Sequence, residues 1–370
     1  VFIEKCGQMT KKNCYFAMIT QHSWMFLSSF EKLREKLQLV DTVNMAHLGA
    51  RAFEEIGGEV VQTTSWMQRK SNIVDYLATY VRLVDYSSQQ EKEKAFLAKN
   101  DLHMAQKGDF SKIPGMPIAY WVSHNVISSF EYHEKVETVS ETRIGMATAN
   151  NDLFMRFWYE ISYKFLCLNS DSREFAKQSC KKWFPYCKGG TFRKWSGNME
   201  YVVNWENDGF DIQNFRDEKT GRVRSHNYNL DYIFKSGLTY TAISSNKFAC
   251  RYMSKSLFGS GGSGICSISN ENILPLLSFL NSNIAEYLLS ALSSTMNFEV
   301  NIVGRLPFIT GDKKESLSNI AIDCIKISDI DWNSFETSWS FVRHPFLTYL
   351  ANNSVTESFT NWQMFTEQQF

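Results

Sequence analysis

The first 70 residues constrain the fold most. Cys14 to Thr20 is a short apolar run that suits a buried strand. Ser29 to Leu39 carries Phe30, Leu33 and Leu37 at helical spacing with charges between them. Ser29 is positioned to cap that helix, although Lys32 stands where a capping box wants glutamate. Leu39 to Ala46 reads as a second strand. Glu59 to Gln68, after the turn signal Gly57-Gly58, is rich in β-formers and reads as a third. Strand, helix, strand, strand with a parallel edge is too little sheet to stand alone, so the segment is expected to be the last third of a larger α/β sheet.

Beyond it, 370 residues predict two or three domains. Residues 71–142 read as a mixed connector, helical over Gln89 to Ala98, with a turn at Ile113-Pro-Gly-Met-Pro117. Residues 143–310 are rich in Trp, Tyr, Phe, Gly and Asn in short strand-like runs and read as an α+β recognition domain. Asn272 to Leu292 within it is helical and apolar on one face. Gly259-Ser-Gly-Gly-Ser-Gly264 is expected to be a flexible loop, without the Lys-Ser/Thr that a Walker motif needs. Residues 311–370 read as a polar, partly helical tail, and no internal repeat is visible.

Hydrophobic residues make up 44% of the chain and aromatics 15%, which argues against disorder over most of it. No stretch reaches the roughly 18 apolar residues of a membrane helix, and the start lacks the basic head and apolar run of a signal peptide. Val1 is read as the cut edge of something longer. The eight cysteines form no C-x-x-C pair and the seven histidines do not cluster, so reduced cytoplasmic thiols and no metal are expected. Formal net charge is zero, yet Lys177 to Trp195 and Tyr232 to Asn270 contain no acid, while the tail is net acidic. Such a distribution fits either a polyanion bound on one face or ordinary solvated loops.

Several blocks carry a family resemblance. Gly7 to Arg34 resembles the stretch after the catalytic loop of γ-type adenine methyltransferases. His47-Leu-Gly-Ala-Arg-Ala-Phe-Glu-Glu-Ile-Gly-Gly-Glu-Val-Val-Gln-Thr-Thr64 is closer still to the adenine-specific methyltransferases of BREX phage-defence systems, relatives of the type IIG restriction-modification enzymes. Gly145 to Glu160 resembles the start of that family's target-recognition domain. Trp183 to Trp195, Tyr201 to Trp205, Gly237 to Ser245, Arg251-Tyr-Met253 and Leu306-Pro-Phe-Ile309 follow in the family's order, and Asp331 to Pro345 resembles the segment after that domain. The resemblance runs to about residue 346. It departs at Ala149-Asn150, where the family tends to have Gly-Asp, and at Asn301-Ile-Val-Gly304 before Leu306-Pro.

The resemblance implies that residues 1–70 end a Rossmann-like methyltransferase sheet and that double-stranded DNA is the partner, with other phage-defence proteins as further candidates. It also implies S-adenosylmethionine as cofactor of the intact enzyme. The family's glycine-rich donor motif and Asn-Pro-Pro-Tyr motif would lie before Val1, and its helical end after Phe370. A truncation or fragment is therefore expected, one that holds no donor. Methylating N6 of adenine in a duplex requires the base to be flipped out and stacked. Phe53 matches the family's stacking aromatic, unless it is a core residue between two strands. Lys188, Arg193, Lys194 and Trp195 suit phosphate contact, or else form a glycine turn with solvated charges. Thr148 and Asn151 suit either DNA contact or a helix cap. Tyr240, Ser244, Lys247 and Arg251 lie in the second acid-free stretch, where Arg251 suits a guanine or a phosphate. A DNA-binding specificity module acting in trans, without chemistry of its own, is the competing function.

Overall fold

The computed structural model describes residues 1–53, 61–244, 247–267, 269–292, 297–351 and 354–369. The turn signal Gly57-Gly58 and the start of the third expected strand lie outside them. The chain divides into two compact units, residues 1–133 with 287–295, and residues 134–286 with 296–370.

Unit one is built on a five-stranded sheet: β1 (Tyr15–Gln21), β2 (Asp41–Gly49), β3 (Thr63–Arg69), β4 (Leu77–Arg82) and β5 (Leu102–Gln106), in the order β1-β3-β2-β4-β5. The pair β2–β4 is parallel and the others are antiparallel. The expected order strand, helix, strand, strand is present, with two differences. The run at Cys14 to Thr20 forms the edge strand β1, alternately exposed along its length rather than buried. The sheet also continues past residue 70, because β4 and β5 come from the segment read as a connector. The helix read at Ser29 to Leu39 spans Glu31–Leu37, and Ser28–Phe30 forms a 3-10 turn before it. Ser29 therefore does not cap it; Phe30 occupies that position and makes no side-chain cap bond. Trp24, Met25, Met45, Trp66, Tyr80, Phe110 and Tyr120 form the core beneath the sheet. Arg34 is buried with them and donates to the carbonyls of Gly115, Trp24 and Leu27 at 2.8–2.9 Å, so its charge satisfies loop backbone.

Unit two holds two four-stranded sheets. One comprises β6 (Ser140–Arg143), β10 (Gly237–Thr241), β11 (Cys250–Met253) and β13 (Gly262–Ser267), ordered β11-β10-β13-β6 and antiparallel throughout. The other comprises β7 (Met155–Phe157), β8 (Trp183–Cys187), β9 (Tyr201–Asn204) and β12 (Leu257–Phe258), ordered β12-β8-β9-β7, with β12 parallel to β8. Phe184, Tyr186, Val203, Trp205, Phe234, Leu257 and Phe258 share one buried cluster.

The glycine stretch corrects the expectation of a flexible loop. Gly262 and Gly264 lie in β13, an inner strand, and the glycines are there for close approach. A Cβ on Gly259 would lie 2.3 Å from the Tyr186 hydroxyl, and one on Gly262 would lie 2.6 Å from the Cys187 carbonyl.

The helix read over Asn272 to Leu292 is two, Ile273–Leu280 and Asn283–Leu292. Asn281, at the break, accepts from the Cys250 amide and donates to its carbonyl, both at 2.9 Å. Its side chain thus acts as a strand partner for the edge of β11. The segment read as a tail contributes the helix Lys314–Trp332, which packs along Ile273–Leu280 within unit two.

Candidate nucleic-acid interface

The expected contact residues do not form one cationic surface. Trp195, at φ +71°, receives a hydrogen bond from Tyr252 N at 2.7 Å and donates its own N–H to Cys250 O at 2.9 Å. This brings the two acid-free stretches side by side, as a shared face requires. Their cations, however, are engaged within the protein. Arg193 forms a 2.7 Å ion pair with Asp331 and lies over the Trp332 ring. Lys194 donates to Asn281 O at 2.7 Å, Lys247 pairs with Glu286 at 3.1 Å, and Lys182 pairs with Glu206 at 3.6 Å. The acids come from other parts of the chain, so the acid-free runs do not make an acid-free surface.

Arg251 is only 1% exposed. It donates to Arg193 O at 3.2 Å and to Thr241 Oγ1 at 3.4 Å, so it braces the loop and is out of reach of a base or a phosphate. Tyr240 is fully buried against Phe248 and is likewise removed from contact. Ser244 is half-buried and has a partner within the protein.

Thr148 is buried and donates to Asn151 Oδ1 at 2.6 Å. The cap of the short helix Asn151–Phe154 is Asn150, whose side chain accepts from Leu153 N at 3.1 Å. Capping thus falls one residue before Asn151, at one of the positions where the chain departs from the family pattern. Asn151 itself remains exposed.

Phe53 follows a turn that begins where β2 ends at Gly49. That glycine has φ +68°, and a Cβ there would meet Val84 Cα at 2.9 Å. Phe53 is 44% exposed, so it does not pack between two strands as the core alternative requires.

Sequence reasoning missed a trough in unit two of about 990 Å³. Two glycine loops, at Gly190 and Gly261, form part of its lining. Gly189 and Gly190 have φ of +98° and +133°, and a Cβ on Gly189 would lie 2.5 Å from Gly261 O. Lys188, Ile243 and Asn301 line its sides. The Lys188 ammonium stands 4.9 Å from the Tyr201 ring centre and forms no salt bridge among the described residues. Five separate segments meet there, which is why no local motif announced it. A buried chain in unit one was missed as well: His22 Nδ1 lies 2.8 Å from His47 Nε2, and His47 Nδ1 lies 3.0 Å from the Tyr120 hydroxyl. Among the described residues there is no cluster of His, Cys, Asp or Glu able to hold a metal, and no helix long and apolar enough to cross a membrane.

The five-stranded sheet of unit one and, in unit two, one antiparallel sheet and one sheet with a single parallel pair make up this fold. Two solved structures match it: the type IIL restriction-modification enzyme MmeI in complex with DNA, with a TM-score of 0.53 at 10% identity, covering 99% of this chain and 48% of that one; and a nuclease-deletion mutant of the type ISP enzyme LlaGI with a DNA substrate mimic, with a TM-score of 0.50 at 12% identity, covering 90% and 31%. No family model matches the chain. The adenine-specific methyltransferase PglX of Lacticaseibacillus casei is 43% identical over 383 aligned positions, which cover all of this chain and 32% of PglX. BrxX of Escherichia coli O9:H4, also an adenine-specific methyltransferase, is 36% identical over 98% of the chain and 29% of its own length. The chain is therefore similar along essentially its whole length to these adenine-specific methyltransferases, and spans about a third of their length.

Proposed function

We propose that this chain supplies target recognition to a site-specific adenine-N6 DNA methyltransferase of a phage-defence system, as the rear part of such an enzyme. The observation that carries the reading is the 43% identity, along the whole of this chain, to an adenine-specific methyltransferase. Unit one is then the end of a Rossmann-like methyltransferase sheet. Unit two is the target-recognition domain that meets double-stranded DNA. The chain's six prolines are nowhere adjacent, so it contains no Asn-Pro-Pro-Tyr, and it has no glycine-rich donor motif. S-adenosylmethionine, the donor of the intact enzyme, is assigned to residues outside this chain.

Phe53 is the residue of this chain proposed to touch the target base. A half-exposed ring just after the turn that follows β2 offers a stacking face to a flipped adenine, and such stacking is worth about 1–3 kcal/mol. In an enzyme that includes this segment, Phe53→Ala is expected to lower the single-turnover methylation rate about 5- to 100-fold. Duplex affinity should change about two-fold at most. An unchanged rate in a folded variant would remove Phe53 from the site.

The reading itself is tested with the purified chain. Fluorescence anisotropy is expected to show binding to duplex DNA that weakens as salt rises. Calorimetry with S-adenosylmethionine is expected to give no binding heat. Absence of duplex binding at low salt overturns target recognition, and stoichiometric donor binding overturns the division of labour.

A further inference from the structure

We propose that the trough of unit two reads an A·T base pair from the major groove, with Asn301 contacting the adenine and Ile243 the thymine methyl. The proposal rests on the target-recognition reading and names the residues that would give it specificity.

Part of the lining is bare backbone. The loops at Gly189-Gly190 and Gly261 approach so closely that side chains are excluded, which leaves room for a base edge between the walls. Asn301 is exposed on one wall, and its side-chain amide has no partner among the described residues. A carboxamide presents one donor and one acceptor side by side, which matches adenine N6 and N7.

Ile243 is 72% exposed on the same trough, although it is a large aliphatic side chain. An apolar contact of that kind distinguishes thymine by its methyl group. The two residues are held in a fixed relation. Ile243 bridges Asn297, and Phe298 N donates to Ala242 O at 2.8 Å. Val300 O, beside Asn301, accepts from Thr142 Oγ1 at 2.9 Å. Lys188 supplies a cation at the rim with no salt bridge to an acid, suited to an adjacent phosphate. Glu299, the acid that lines the trough, is engaged within the protein. Among the described residues, the trough thus brings together an amide without a side-chain partner, an exposed aliphatic and a lysine that forms no salt bridge, in contrast to Arg193, Lys194 and Lys247.

The test uses the 370-residue chain and a randomised duplex library, with bound sequences recovered and affinities checked by anisotropy. The wild type is expected to prefer A·T at one position, and to lose affinity when deoxyuridine replaces that thymine. Asn301→Ala should reduce the preference there about 5- to 100-fold, leaving affinity for random duplex within about two-fold. Asn301→Asp should move the preference from adenine toward cytosine, since a carboxylate accepts from cytosine N4. Ile243→Ser should remove the distinction between thymine and deoxyuridine. Both residues are exposed, so thermal melts should match the wild type; if one variant unfolds, the other carries the test. A wild-type preference that survives both Asn301 variants and Ile243→Ser overturns the trough assignment and leaves target recognition standing. Binding with no base preference anywhere also overturns it. Failure of the wild type to bind any duplex overturns the functional reading, and the assignment falls with it.

Discussion

Replacing Gly145 with alanine is expected to destabilise unit two by about 3 kcal/mol or more. An added Cβ would lie 2.0 Å from the Phe258 carbonyl oxygen, 2.4 Å from its carbonyl carbon and 2.7 Å from the Gly259 carbonyl carbon. All three are backbone atoms, so no side-chain rotation relieves the contact. The crossing is also fastened: Met146 N donates to Phe258 O at 3.0 Å, and Ser260 N to Met146 O at 3.1 Å. Those bonds join the end of β6 to β12, and so help tie one sheet of the unit to the other. Moving residues 145–146 away would break them and open the cluster around Tyr186 and Phe258. Gly108, with nothing near its missing Cβ, is the control, and Gly108→Ala should be close to neutral. Urea denaturation measures both. A Gly145→Ala midpoint equal to the wild type would mean the crossing yields more easily than its geometry implies.

What could be read from the sequence depends on how far apart the interacting residues lie. The strand–helix–strand–strand order of the first 70 residues was legible because each element is a local pattern of apolar spacing. The position of β1 at the sheet edge was not, since Cys14 to Thr20 is equally apolar whether one face is covered or two. Gly259 to Gly264 has a linker's composition, and only its neighbours Tyr186 and Cys187, more than 70 residues earlier, show that the glycines serve packing. The acid-free stretches misled for the same reason. Asp331 neutralises Arg193 from 138 residues away, and no count of local charge detects it. Asn301 stood out only as a departure from the family pattern, and the trough gives that departure a role that can be tested.

Acidification is expected to destabilise unit one between about pH 6.5 and 4, through His22 and His47. Burial lowers the His22 pKa from 6.5 to about 4. Burial also holds His47 well below the ordinary histidine range, reinforced by His22, Arg82 and Lys92 nearby. His103, packed against Tyr120, is lowered too, chiefly by burial. The unfolded chain therefore binds more protons than the folded one across this window. Stability is full above the unfolded value and is lost as pH falls toward the folded value. For His22 alone the shift corresponds to about 3 kcal/mol. The hydrogen bonds explain why the cost is not relieved locally. With both rings neutral, one of the two facing nitrogens, His22 Nδ1 and His47 Nε2, carries a proton and the other accepts it, while His47 Nδ1 bonds the Tyr120 hydroxyl. One added proton keeps that contact but places a charge in a buried site. A second sets two N–H groups against each other across 2.8 Å. Urea unfolding at steps from pH 7.5 to 4.5 should show a steep loss in the wild type. His22→Asn should start less stable at pH 7.5 and give a visibly flatter profile. Parallel profiles for the two proteins would assign the acid sensitivity to other groups and leave the buried pair without a role in it.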